Sequence, residues 1–173
     1  SKDTVEISNA EVDEIKSTNS NNNNPNISLS NSKIGTVPES GVDMVIGSGV
    51  TIGGEPVGTK AEAEIAGQPY ATLAEALAAA QNDDVVKLLK NITVTVNGQT
   101  PIYTIGKDIT LDGNGMSITA NGTKPSGSNH IILVTASGAT IQNLTIDVND
   151  KATSGIQVYE AQAVTLSNVS IKD

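Results

Sequence analysis

The sequence predicts an all-β chain, a right-handed parallel β-helix closed at its N-terminal end by one amphipathic helix and preceded by a flexible arm. Three observations predict it. A helical apolar pattern occurs once, in TLAEALAAA; everything after it is β-branched segments separated by Gly, Asn and Asp turns; and those segments repeat one another.

The composition is compatible with this solenoid. The 173 residues are 37% hydrophobic, enough for one domain with a modest core plus a tail. Phe, Trp, Cys and Arg are absent and Tyr occurs three times, so the core must be thin layers of Ile, Leu, Val and Ala, as in stacked strands. A net charge of -9 and scattered lysines argue against a nucleic-acid partner, because phosphate neutralisation needs clustered cations. No apolar run approaches the roughly 20 residues of a membrane span. The first residues, Ser1 and Lys2, are polar, so a secreted form would have already lost its signal peptide. Without cysteine there is neither a disulfide framework nor a thiolate metal site. A cysteine-free, acidic chain rich in Asn, Thr and Gly sets the expectation of an extracellular or cell-surface location.

Residues 1–40 are expected to be the arm. They carry Glu6, Glu11, Asp13 and Glu14, then Ser20-Asn21-Asn22-Asn23-Asn24-Pro25, then Ser28, Ser30 and Ser32. Such a stretch offers little apolar area to offset the entropy of ordering it. The β-helix domain is expected over 41–173. VDMVIGSGVTI (42–52) and AEIA (63–66) read as short strands, separated by Gly53-Gly54-Glu55-Pro56, whose glycines allow positive φ.

The helix is expected over 72–81, with Leu73, Ala76, Leu77 and Ala80 on one face. Thr72 and Glu75 form a capping box, in which hydroxyl and carboxylate satisfy each other's free backbone donors. Gln81-Asn82-Asp83-Asp84 ends it.

Downstream, three segments align: Ile109-Thr110-Leu111 to Ile118, Ala139-Thr140-Ile141 to Ile146, and Val164-Thr165-Leu166 to Ile171. The shared unit is apolar-Thr-apolar, a polar turn containing Asn, then apolar-Ser/Thr-Ile. Leu89, Leu111, Ile141 and Leu166 are separated by 22, 30 and 25 residues, lengths that suit one coil of a β-helix. Stacking in register would put Asn143 above Asn168 at a sharp turn, forming a structural ladder. Asn114 is a third candidate rung, displaced by the extra residue in Asp112-Gly113-Asn114-Gly115.

The stretch from Gly67 through Leu77, continuing through AAAQNDDVVKLLKNITV, resembles the N-terminal cap of right-handed β-helix domains of the pectate-lyase-like superfamily in bacterial and archaeal surface and adhesin-like proteins. KDITLDGNGMSI (107–118) shares the resemblance, which spans about residues 63–173. It implies the fold but not an activity, since that superfamily includes lyases, hydrolases, adhesins and passive stalks.

No catalytic residue is assigned. The resemblance implies calcium carboxylates with an arginine base for the lyases and clustered Asp for the hydrolases, but this chain has no arginine. Asp108, Asp112, Asp147, Asp150 and Glu160 fall mainly in turns rather than at matched coil positions, whereas a carboxylate pair must sit within about 5 to 9.5 Å. Asp147, Asn149 and Asp150 are a weak calcium candidate, since calcium takes oxygen ligands; no other cofactor or metal site is expected. His130 lacks the partners that make triads or metal sites. Tyr70, Tyr103 and Tyr159 could stack on sugars, though Tyr70 is expected beside the cap helix. Of the sequons at Asn26, Asn91, Asn121, Asn143 and Asn168, the last two coincide with the ladder, leaving Asn26 and Asn121 as plausible glycan acceptors.

Ile171-Lys172-Asp173 directly follows a predicted strand, with no capping helix or polar terminal repeat. An open solenoid end exposes backbone and apolar side chains, which sets the expectation of a longer protein or of stacking on another copy. The function expected is a non-enzymatic secreted or cell-surface scaffold, structural or adhesive, with a carbohydrate or a host or cell-surface ligand as partner. The alternatives are the N-terminal part of a polysaccharide-active lyase or hydrolase and a module that self-associates end to end.

Overall fold

The computed structural model describes residues 4–16, 25–38, 42–58, 60–97, 101–124 and 126–173. It is a β-solenoid of about six turns with one short helix. Parallel strands dominate because each coil buries its apolar residues only by stacking on the next.

The chain begins with β1 (Thr4–Ser8) and β2 (Glu11–Glu14), continues as β3 (Asn26–Ser30) and β4 (Lys33–Thr36), and then as β5 (Asp43–Ile46) and β6 (Thr51–Ile52). β1, β3 and β5 form one parallel sheet, and β2, β4 and β6 another. Ile7 lies beside Leu29 and Leu29 beside Ile46, while Val12 lies beside Ile34 and Ile34 beside Ile52. Ile27, Leu29, Ile34, Ile46 and Val50 make a buried apolar cluster.

The arm expected over residues 1–40 is therefore corrected: 4–14 and 26–36 contain four strands, while the asparagine run 21–24 lies outside the described residues. The physical reason lies in β3, which is buried on both faces. Ile27 and Leu29 enter the apolar cluster, and Ser28 and Ser30 are also buried. Ser28 Oγ accepts from Gln68 Nε2 at 2.9 Å, and Ser32 Oγ donates to Ser30 O at 2.7 Å. The serines that make this stretch look like a linker are small polar groups satisfied inside the stack.

β6 turns through Gly53 and Gly54, both at positive φ, into antiparallel β7 (Glu55–Pro56). An antiparallel hairpin follows, β8 (Ala63–Ile65) and β9 (Gln68–Tyr70), and then α1 (Leu73–Ala79). The helix is shorter than the 72–81 expected, because Thr72 is its N-cap and Ala80 leaves helical geometry at ψ 144°. The capping box forms in both directions, each bond 3.2 Å. At the other end Lys107 Nζ donates to the carbonyls of Ala78 and Ala80, placing a cation where the helix dipole favours one.

The second parallel stack follows. Its strands are β10 (Val85–Leu88), β11 (Ile92–Val96), β12 (Tyr103–Ile105), β13 (Thr110–Asp112), β14 (Ser117–Gly122), β15 (His130–Val134), β16 (Thr140–Asp147), β17 (Ser154–Val158) and β18 (Thr165–Lys172). Successive coils pair β10–β13–β16–β18 on one side, β11–β14–β16–β18 on the next and β12–β15–β17 on the third. β11 shows the alternation plainly: Ile92, Val94 and Val96 are buried and Thr93 and Thr95 exposed. The helix contributes Leu73, Ala76 and Leu77, and its C-cap Ala80 follows them into the same core, so it caps this stack, and the first three coils precede it.

The coil register also corrects one residue. Val86, not Leu89, lies beside Leu111, so the spacing of the first coil is 25 rather than 22. Val86 and Leu88 point inward around exposed-side Lys87, and Leu89 has already turned away, its N–H donating to Glu62 O.

Candidate functional site

The predicted ladder turn is the most organised polar cluster. β16 and β18 each bend where an Asn takes the left-handed conformation, Asn143 at φ 52° and Asn168 at φ 53°. Asn tolerates this region better than other side-chain-bearing residues, and the bend lets one long strand pair along two sides of the solenoid. Asn168 Nδ2 donates to Asn143 Oδ1 at 3.0 Å, and Asn143 Nδ2 donates to Asp112 Oδ1 at 3.2 Å.

Asn114 also has a left-handed φ of 51°, but it is not a link in this side-chain row. Its Nδ2 donates to Leu88 O, while its N–H donates to Asp112 Oδ1 at 2.8 Å. The extra residue moves Asn114 past the column, and Asp112 receives the Asn143 amide instead. Gln142 Nε2 adds a bond to Asp112 Oδ2 at 3.1 Å. Burial acts to raise the Asp112 pKa, but the bonds from Asn114 N–H and the Asn143 and Gln142 amides, helped by Lys87, hold it below the usual carboxylate value. Sequence reasoning placed Asp112 in a turn and missed this role.

The same turn recurs in the first coils at Asn9, φ 50°, and Asn31, φ 44°. Asn9 N–H donates to Ser30 O and Asn31 N–H to Ser48 O. The signal was present: Ile7-Ser8-Asn9 and Leu29-Ser30-Asn31 match Leu166-Ser167-Asn168, each followed by an apolar residue three positions after the Asn.

The polar groups of the 147–150 loop bond to one another and to the neighbouring coil. Asn149 N–H donates to Asp147 Oδ1 and Asn149 Nδ2 to Ala120 O. Asp150 Oδ1 pairs with Lys124 Nζ at 2.6 Å, which lowers the carboxyl pKa and raises that of the amine. Among the described residues, no three His, Asp or Glu side chains gather in a group that could hold a metal ion.

His130 Nδ1 and Ser154 Oγ share a hydrogen bond of 2.6 Å across adjacent coils. Beside it, Asn129 is fully buried, and neither its Oδ1 nor its Nδ2 has a partner among the described residues. The tyrosines are dispersed. Tyr103 is buried in the core, which pushes its phenol pKa up, with Glu62 adding to the rise, whereas Tyr159 is exposed. Tyr70 packs against the core edge beside the helix, and burial, then Glu6 and Asp84, raise its pKa.

A groove of about 460 Å³ lies between the outer face of β1, β3 and β5 and the β9–α1 segment. Glu6, Ser28, Gln68, Tyr70 and Glu75 line it. Sequence reasoning could not find it, because its walls come from four segments spread between Thr4 and Glu75. Among the described residues, no helix is long and apolar enough to cross a membrane. Compared with protein-family models, curated proteins and solved structures, the chain gives no match in any of the three.

Proposed function

We propose that the chain is a non-enzymatic structural segment of a secreted or cell-surface protein, a rigid solenoid that spaces or presents neighbouring parts. The observation that carries this reading is the bonded row from Asp112 through Asn143 to Asn168, in which the best-organised polar groups are used to lock coil to coil. Stacked parallel strands with such a row resist bending and shear. Small-angle scattering should give an elongated, rigid particle whose shape is unchanged by ligands. A compact or variable shape would sink the spacer role.

An adhesive role belongs to the same proposal. The groove beside Tyr70 pairs one aromatic face with carboxylates and amide groups, a combination suited to sugar hydroxyls. Glycan arrays and matrix-binding screens test it, and uniformly negative results would leave the spacer alone. No cofactor enters the proposal. Calcium at Asp147, Asn149 and Asp150 would have to displace Lys124 from Asp150, so chelator treatment is expected to leave the unfolding temperature unchanged.

A further inference from the structure

Asn121 and Gly122 stand in the geometry of an intramolecular attack on an amide. We infer that Asn121 is a site of self-modification, losing its side-chain amide through a succinimide, while the same dipeptide at Asn114-Gly115 is preserved. The chain has three Asn-Gly pairs, at Asn97, Asn114 and Asn121, and Asn97-Gly98 reaches outside the described residues. A following glycine leaves the attacking backbone nitrogen without a flanking side chain, so the sequence alone ranks the three equally.

The two described pairs differ in what that nitrogen faces. Gly122 N–H donates to Asn121 Oδ1 at 2.6 Å, which holds the Asn121 carboxamide carbon against the nitrogen that must attack it. The bond to the preceding coil at this rung runs instead from Thr123 N–H to Val96 O at 3.3 Å. In the other pair Gly115 N–H donates to Asn143 O at 2.9 Å, and Asn114 Nδ2 donates to Leu88 O at 3.2 Å. There the nucleophile is tied to the following coil and the carboxamide to the preceding one, so both bonds must break before the two can meet. Asn114, Gly115, Asn121 and Gly122 are all exposed, so access of water does not separate the pairs.

The reaction consumes only water. Gly122 N gives its proton to hydroxide and bonds to Asn121 Cγ; the Cγ–Nδ2 bond breaks, and the amide nitrogen leaves as ammonia with a proton taken from water. Water then opens the ring, at Cγ to give aspartate or at the backbone carbonyl to give isoaspartate, and nothing is oxidised or reduced. Either product puts a carboxylate at an exposed strand end. Isoaspartate also lengthens the main chain by one atom where β14 pairs with β11. Because the departing nitrogen is the one a glycan would occupy in Asn121-Gly122-Thr123, the two modifications exclude each other.

The test ages the native chain at mildly alkaline pH beside a sample unfolded in urea, then digests both. The Asn114 and Asn121 peptides are followed by the mass gain of amide-to-acid conversion and by isoaspartyl methyltransferase labelling. In the native chain Asn121 should convert about ten-fold faster than Asn114, and in urea, where only the dipeptide sequence acts, the two rates should converge. Asn114 converting as fast as Asn121 in the native chain, or a native Asn121 that outlasts the unfolded one, would each overturn the inference.

Discussion

Asn168 donates its side-chain amide to the Asn143 carboxamide oxygen at 3.0 Å, joining two residues 25 apart in sequence that occupy the same bend of successive coils. Both are left-handed, so each must satisfy a backbone requirement and a side-chain one at once. This double demand separates the effects of substitution.

Asn143→Ala removes the amide bonds and places a β-carbon in the left-handed region, and should cost about 2 to 3 kcal/mol. Asn143→Gly keeps the backbone freedom and loses only the bonds, for about 1 kcal/mol. Urea unfolding midpoints compare the two. Equal losses would show that the backbone conformation contributes nothing.

Asp112 makes stability depend on pH. Its pKa is lowered in the folded chain, so its contribution is fully present above the unfolded carboxyl pKa and is lost as pH falls through the folded value. The stability difference between wild type and Asp112→Asn should therefore be largest near neutrality and shrink on acidification below the ordinary carboxylate pKa. Denaturant titrations at a series of pH values read it, and a difference that stays constant would contradict the assignment.

Gly113→Ala should destabilise by about 1 to 3 kcal/mol through overpacking. A β-carbon there would lie 2.5 Å from Asn143 O and 2.7 Å from Leu144 Cα, both backbone atoms of the next coil. Because neither can move without shifting β16, hydrogen exchange should quicken along β16 in this variant. Unchanged exchange with unchanged stability would mean that the coil spacing relaxes freely.

Asn129→Leu should leave the unfolding temperature at or above that of wild type, because a buried amide with no partner among the described residues carries its desolvation cost, about 1 to 3 kcal/mol, uncompensated. Thr153→Val is the contrasting variant, since Thr153 Oγ1 accepts from Asn129 N–H at 2.7 Å and donates to Asn129 O. It should lower stability. Calorimetry on both variants decides, and a clear loss in Asn129→Leu would refute the first expectation.

Much of this architecture was legible locally. The capping box of Thr72 and Glu75, the apolar face of Leu73, Ala76, Leu77 and Ala80, and the alternation in Ile92–Val96 depend on neighbours within a few residues. The Asn143–Asn168 pair followed from the repeat, because identical turns in a solenoid must superpose. Residues 4–14 and 26–36 were misread because burial was judged segment by segment: Ser28 is buried and accepts a hydrogen bond from Gln68 of β9, forty residues away in sequence.

By itself the sequence determined the fold class, the helix start, the repeat and the shared turn at Asn143 and Asn168, since these rest on periodicity and on the conformations each residue tolerates. Tertiary structure alone decided that Val86 rather than Leu89 begins the second stack, that Asp112 rather than Asn114 continues the polar row, and that a groove opens beside Tyr70. Each of these depends on which coil lies against which. A register shift of one or two residues changes every such neighbour while leaving the local pattern intact.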